Sequence, residues 1–328
     1  MKSESGLSAI FMKLCGLPKK GALLAAAFAT LWTVAYAQQA PSAVSFSFTS
    51  FDFPGATSTQ SIGINSSGTL VGAYSDSAGV THGFASLASG KFISVDFPGA
   101  VSTVLERISD SNQAVGFYVD SNGISHGFSF VYPKKFTSLD YPGGAQTQAY
   151  GIAKTQNIVG TWFDSEGNQS GFSLVQGSYT DIMYPNSLST VASDINATGV
   201  ISGAWGDTDG QSQSHGFLLS AEGTFTDVDY PKATKTLIYG LNDLSQVAGT
   251  YADNNDVSHG WVGLPAKNQY LTEDFPGSTS SYVGSIANIY SNITGGYTDV
   301  DGNIHGFIAC PKPKSAEPLG KGGCPGIR

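Results

Sequence analysis

An Asp-aromatic-Pro signature keeps returning in this chain: Asp52-Phe53-Pro54, Asp96-Phe97-Pro98, Asp140-Tyr141-Pro142, Tyr184-Pro185, Asp229-Tyr230-Pro231 and Asp274-Phe275-Pro276. Successive prolines lie 44, 44, 43, 46 and 45 residues apart. Two further signatures keep the same phase. One is Gly72-Ala73-Tyr74, repeated as Gly116-Phe117-Tyr118, Gly160-Thr161-Trp162, Gly203-Ala204-Trp205, Gly249-Thr250-Tyr251 and Gly295-Gly296-Tyr297. The other is His82-Gly83-Phe84, with its equivalents at His126, Ser170, His215, His259 and His305, so all five histidines occupy one repeat position. A fixed period of this length restricts the chain to architectures in which identical supersecondary units pack side by side.

Each unit reads as four short strands. In the second unit they are residues 91–97, 103–109, 114–119 and 124–131, rich in Val, Ile, Phe and Tyr and bounded by Gly, Asn, Asp, Ser or Pro. The turn Asp120-Ser121-Asn122-Gly123 separates the last two, with Gly free to take the positive φ of a tight hairpin. Nothing in the repeats shows a sustained 3.6-residue apolar period, so no helix is expected there. Four strands in about 44 residues is the size of a propeller blade. The repeats open on a lone strand near Ser45 and end on its missing neighbour near Cys310. The expected fold is therefore an all-β, six-bladed propeller over residues 45–310, its ring closed by both chain ends in one blade.

Residues 1–37 have the form of a secretory signal peptide. Four lysines precede an apolar run from Ala22 to Val34, then Ala35-Tyr36-Ala37, with cleavage expected near Ala37-Gln38. Residues 38–44 read as a disordered lead-in and 311–328 as an irregular tail. A secreted or periplasmic, monomeric product without a membrane span is expected. In that oxidising setting Cys310 and Cys324, the two cysteines beyond the leader, are expected to pair. The net charge of −9, with Arg107 and Arg328 the only arginines, excludes nucleic acid and anionic membranes as natural partners.

Candidate chemistry is sparse. In a ring, His82, His126, His215, His259 and His305 are a candidate metal set. The plainer reading is structural: each imidazole bonded to the hairpin Asp before it, as His82 to Asp76. The turns Asp207 to Gly210 and Asp299 to Gly302 resemble the opening of a calcium loop but lack its downstream Glu, so no cofactor is expected and calcium is the one left open. Repeat proteins carry function where units diverge. Arg107 and Asp194 break a position that is otherwise Gly or Ser, and Trp162 and Trp205 replace Tyr, which makes these four the candidate ligand-binding residues. No nucleophile elbow, zinc-protease motif or phosphate loop is present.

The run DFPGATSTQSIGIN from Asp52 to Asn65, followed by Val71-Gly72-Ala73-Tyr74 and His82-Gly83-Phe84, resembles the HAF-repeat extracellular proteins of bacteria. The resemblance covers residues 45–310 and implies export and a β-rich repeat architecture. It brings no activity and no site residues. The reading of the sequence as a whole is a secreted, non-catalytic binding or cell-envelope interaction module for an extracellular polysaccharide or a protein. The alternative is an envelope enzyme acting on glycans or lactone-like small molecules.

Overall fold

A computed structural model describes residues 45–87, 90–133, 135–206, 214–289 and 291–312. The proposed leader and lead-in, the residues after 312 including Cys324, and the turn at Asp207 all lie outside them. The described residues form six four-stranded antiparallel sheets. The first five sheets follow chain order, innermost strand first: residues 58–95, 102–138, 146–182, 189–227 and 235–272. The sixth combines residues 280–311 with Phe46–Phe51, which pairs with Ile304–Pro311 as the outermost strand. The chain is thus a six-bladed β-propeller closed by its two ends, as the repeat count implies.

The strand before each Asp-aromatic-Pro signature forms the outer edge of the preceding blade, as the Ser45 strand does in the closing one. The signature therefore spans two blades, and its residues divide accordingly. Asp96 turns back to its own blade, its Oδ1 2.9 Å from His82 Nδ1. Phe97 goes forward and stacks on Tyr118 of the next blade, ring centroids 3.7 Å apart. The Phe97 amide donates to the buried Thr103 hydroxyl at 3.0 Å. The same Thr or Ser contact pins the loop at Phe53, Tyr141, Tyr184, Tyr230 and Phe275.

Each blade's core centres on the aromatic of the third signature. Phe84, Phe128, Phe172, Phe217, Trp261 and Phe307 are all fully buried. The glycine of the second signature has a steric cause. A Cβ on Gly72 would sit 2.0 Å from the carbonyl oxygen of Gln60 and against the Phe84 ring. On the face where the inner strands end, Asn65 and Asn242 tie neighbouring blades, donating to the carbonyls of Ser109 and Ala287 at 3.2 Å each.

Candidate functional site

The histidine ring is structural in its contacts. Its members do not converge, and among the described residues no group of three or more His, Cys, Asp or Glu is placed to hold a metal. Each Nδ1 contacts the signature Asp at the end of its own blade: Asp96, Asp140, Asp229, Asp274 and, across the closure, Asp52, at 2.7 to 3.1 Å. The hairpin Asp anticipated from sequence is the weaker partner for His82, at 3.5 Å from Asp76. For His305 both partners are close, 3.0 Å to Asp52 and 3.2 Å to Asp299. Each ring also stacks on the second-signature aromatic, as His82 does on Tyr74. Blade three shows the pair as a unit: where Ser170 replaces His, Met183 replaces the Asp, and the two touch at 3.8 Å.

The turn aspartates are occupied by their own backbone. Asp76 Oδ1 accepts the amides of Ala78 and Val80, and Asp299 Oδ1 those of Asp301 and Asn303. The Asn303 amide and side chain hold the Asp299 carboxyl down to about 2.

Trp162 and Trp205 belong to the inter-blade stacks. Trp162 lies flat on Tyr141 with centroids 4.2 Å apart, and its Nε1 donates to Asp181 at 2.9 Å. Trp205 lies on Tyr184 at 4.3 Å and on His215 at 4.6 Å. Neither lines the axial cavity.

Arg107 and Asp194, by contrast, come together on the axis. Both are buried, and Arg107 Nε lies 3.3 Å from Asp194 Oδ2. The Arg107 guanidinium also donates to the carbonyls of Ile62 and Gly284 at 3.1 Å each, and to that of Tyr239. The Asp194 carboxylate accepts the amides of Ile195 at 2.9 Å and Leu241 at 3.0 Å. Burial raises this carboxyl, while Arg107 and the two amides oppose that rise; both oxygens accept hydrogen bonds, the pattern of an ionised group. One side chain thus holds inner strands from blades one, two, four, five and six. Glycine in the alternate blades makes room for it: a Cβ on Gly151 would stand 2.6 Å from the Asp194 Cα.

This pair divides the channel. Toward the inner-strand ends lies a pocket of about 40 Å³, lined in part by Asp110, Lys154 and Asp243. Toward the strand starts lies a cavity of about 650 Å³. Every inner strand carries a β-bulge at the same place, and the six bulged residues, Ile62, Glu106, Tyr150, Ser193, Tyr239 and Gly284, all line that cavity. Gln60 and Tyr282 join them. Burial pushes the Glu106 carboxyl up to about 7 despite the neighbouring Arg107. Burial, with Glu106 adding to it, pushes the Tyr239 phenol up to about 12 and also raises Tyr150 and Tyr282. Near neutral pH the cavity thus presents three uncharged phenols, a carboxyl that titrates in that range, and the hydroxyl of Ser193. Chemically this is a cup for a ligand with several hydroxyl or amine groups.

Arg107 and Asp194, singled out in the sequence, lie at the floor of the cup, whereas the bulged residues of its walls are not singled out there. Their signal is the repeat column just before Gly63, Arg107, Gly151, Asp194, Gly240 and Ser285, which reads Ile, Glu, Tyr, Ser, Tyr, Gly.

No family model and no curated protein matches this chain. Solved structures do. A protein described as TolB from Agrobacterium tumefaciens is similar with a TM-score of 0.54 at 11% identity, over 83% of this chain and 99% of that one. An arginine-to-alanine triple mutant of AofleA from Arthrobotrys oligospora is similar at 0.50 and 9% identity, over 83% and 88%. The lectin of Aleuria aurantia, described as a six-bladed propeller, gives 0.46 at 8% identity, over 81% and 91%. At these identities the likeness is one of fold.

Proposed function

We propose that this propeller is an exported, non-catalytic binding module of the HAF-repeat type, and that its axial cavity takes one end of an extracellular polysaccharide. The observation that carries the reading is the cavity itself. Six bulged residues, different in chemistry, line a cup of about 650 Å³ whose floor is closed by the Arg107–Asp194 pair. That volume falls within the range of small-molecule sites, about 300–1,000 Å³. It suits a few sugar rings better than a protein surface. Tyrosine faces supply apolar contact and Ser193, Gln60 and the phenols supply hydrogen bonds, the mixture that sugars require.

Hydrolysis is not favoured by this lining. Glycoside cleavage ordinarily employs two carboxyl groups flanking the bond. Among the described residues lining the cavity, Glu106 is the one carboxyl; Asp194 is sealed beneath Arg107. A thermal-shift screen of the protein against oligosaccharides of differing composition tests the proposal. One class should raise the melting temperature by several degrees, since ligand at 100 times its Kd stabilises by about 2.7 kcal/mol. A uniform melt across neutral, acidic and amine-bearing oligosaccharides would count against it.

A further inference from the structure

The most unusual group in the cup is Glu106. Its carboxyl hydrogen-bonds no donor among the described residues, although Arg107 is its chain neighbour. That guanidinium is committed elsewhere, to three carbonyls and to Asp194, whose charge offsets its own. Tyr150, Tyr239 and Tyr282 line the same cavity as Glu106. The Tyr239 and Tyr282 rings meet edge to face, centroids 6.2 Å apart. The Tyr150 hydroxyl is taken by Gln148 Oε1 and that of Tyr282 reaches the Ser61 carbonyl at 3.5 Å, so neither donates to the carboxylate.

A half-buried carboxylate without a hydrogen-bond partner is costly in its charged form. Aromatic rings lining the same cavity add to its attraction for a cation. We propose that the cavity selects a ligand carrying a protonated amine, seated against Glu106 among Tyr150, Tyr239 and Tyr282. This rests on the carbohydrate-binding reading and narrows it to glycans with a free amino group at the bound end. The ammonium supplies the donors that the protein withholds from Glu106, and hydroxyls of the same sugar meet Ser193 and Gln60.

The test is calorimetric titration at pH 7 with three probes: a glucosamine trisaccharide with free amines, its N-acetylated counterpart, and a glucose trisaccharide. The expected result is at least tenfold tighter binding of the free-amine probe, and loss of that preference in Glu106→Gln. Equal affinity for the three probes, or a preference that survives Glu106→Gln, overturns the amine inference and leaves the carbohydrate reading standing. Failure of the free-amine probe to bind overturns the amine inference, while the carbohydrate reading falls only if the wider oligosaccharide screen is also flat. Should Glu106→Gln not fold, as judged by its melt, the comparison of free-amine and N-acetylated probes on the unaltered protein still decides.

Discussion

Arg107 and Asp194 meet across the propeller axis, Nε of one 3.3 Å from Oδ2 of the other, from inner strands two blades apart. The contact is both floor and brace. It ends the ligand-sized cavity, and through the carbonyls of Ile62, Tyr239 and Gly284 it joins blades that share no strand pairing.

Breaking that brace on one side should be severe. Arg107→Met leaves Asp194 buried without its counter-charge, and losses of this kind run to about 3–5 kcal/mol. The double variant Arg107→Met with Asp194→Leu removes both charges and should recover much of that loss. Urea denaturation of the two single variants and the double one measures the coupling. Additive effects would mean that the pair does not act as a unit.

The histidine clamps predict a pH dependence with a definite sign. Burial pulls the His82 and His305 imidazoles down, but the flanking carboxylates, Asp96 and Asp76 for one and Asp52 and Asp299 for the other, outweigh it and leave both raised. Their contribution is therefore fully present below the unfolded value of about 6.5 and is lost as pH rises through the folded one. Melting temperature should fall from pH 6 to 8 by more in the wild type than in a His82→Gln, His305→Gln variant. The difference should not exceed about 2–4 °C per histidine for such solvent-exposed pairs. Asp299, held at about 2, acts oppositely. Its share is present above the unfolded carboxyl value of about 4 and is lost as pH falls toward 2.

Two glycines in one blade should respond very differently to alanine. At Gly72 the added Cβ meets the Gln60 carbonyl at 2.0 Å, so the strands must part. The cost should exceed about 3 kcal/mol, beyond the ordinary range for overpacking. At Gly79, with φ of 80° and nothing within 4 Å, only the left-handed backbone resists, at about 1 kcal/mol. Equal destabilisation in denaturant titrations would contradict this assignment.

How far the sequence disclosed all this depends on which residues repeat. The blade count, the closure near Cys310 and the strand boundaries follow from positions that the units repeat: the aromatic-Pro turn, the glycine forced at Gly72 and the buried aromatic at Phe84. Cys310 is disulfide-bonded, and the proposed partner Cys324 lies outside the described residues. The site follows from positions that differ. Arg107 and Asp194 stood out because they break a glycine column, and they prove to be partners. Glu106 did not stand out because strand alternation sends consecutive residues to opposite faces. The bulge between Leu105 and Arg107 breaks that alternation, so Glu106 and Arg107 both reach the channel. No local pattern in the letters announces such a bulge. Likewise Trp162 looked available for a ligand until the fold placed Tyr141, from the loop between blades two and three, flat against it.

The central claim is that the axial cavity binds the ligand, and filling it is the most direct test. Ser193 is a bulged residue on the cavity wall with space before it. Ser193→Trp should occupy that space, at a cost of about 1–3 kcal/mol that the melt of the free protein measures. Titrated with whichever oligosaccharide stabilises the wild type, it should bind at least a hundredfold more weakly. Wild-type affinity in a folded Ser193→Trp protein would contradict the account and place the binding surface elsewhere on the ring.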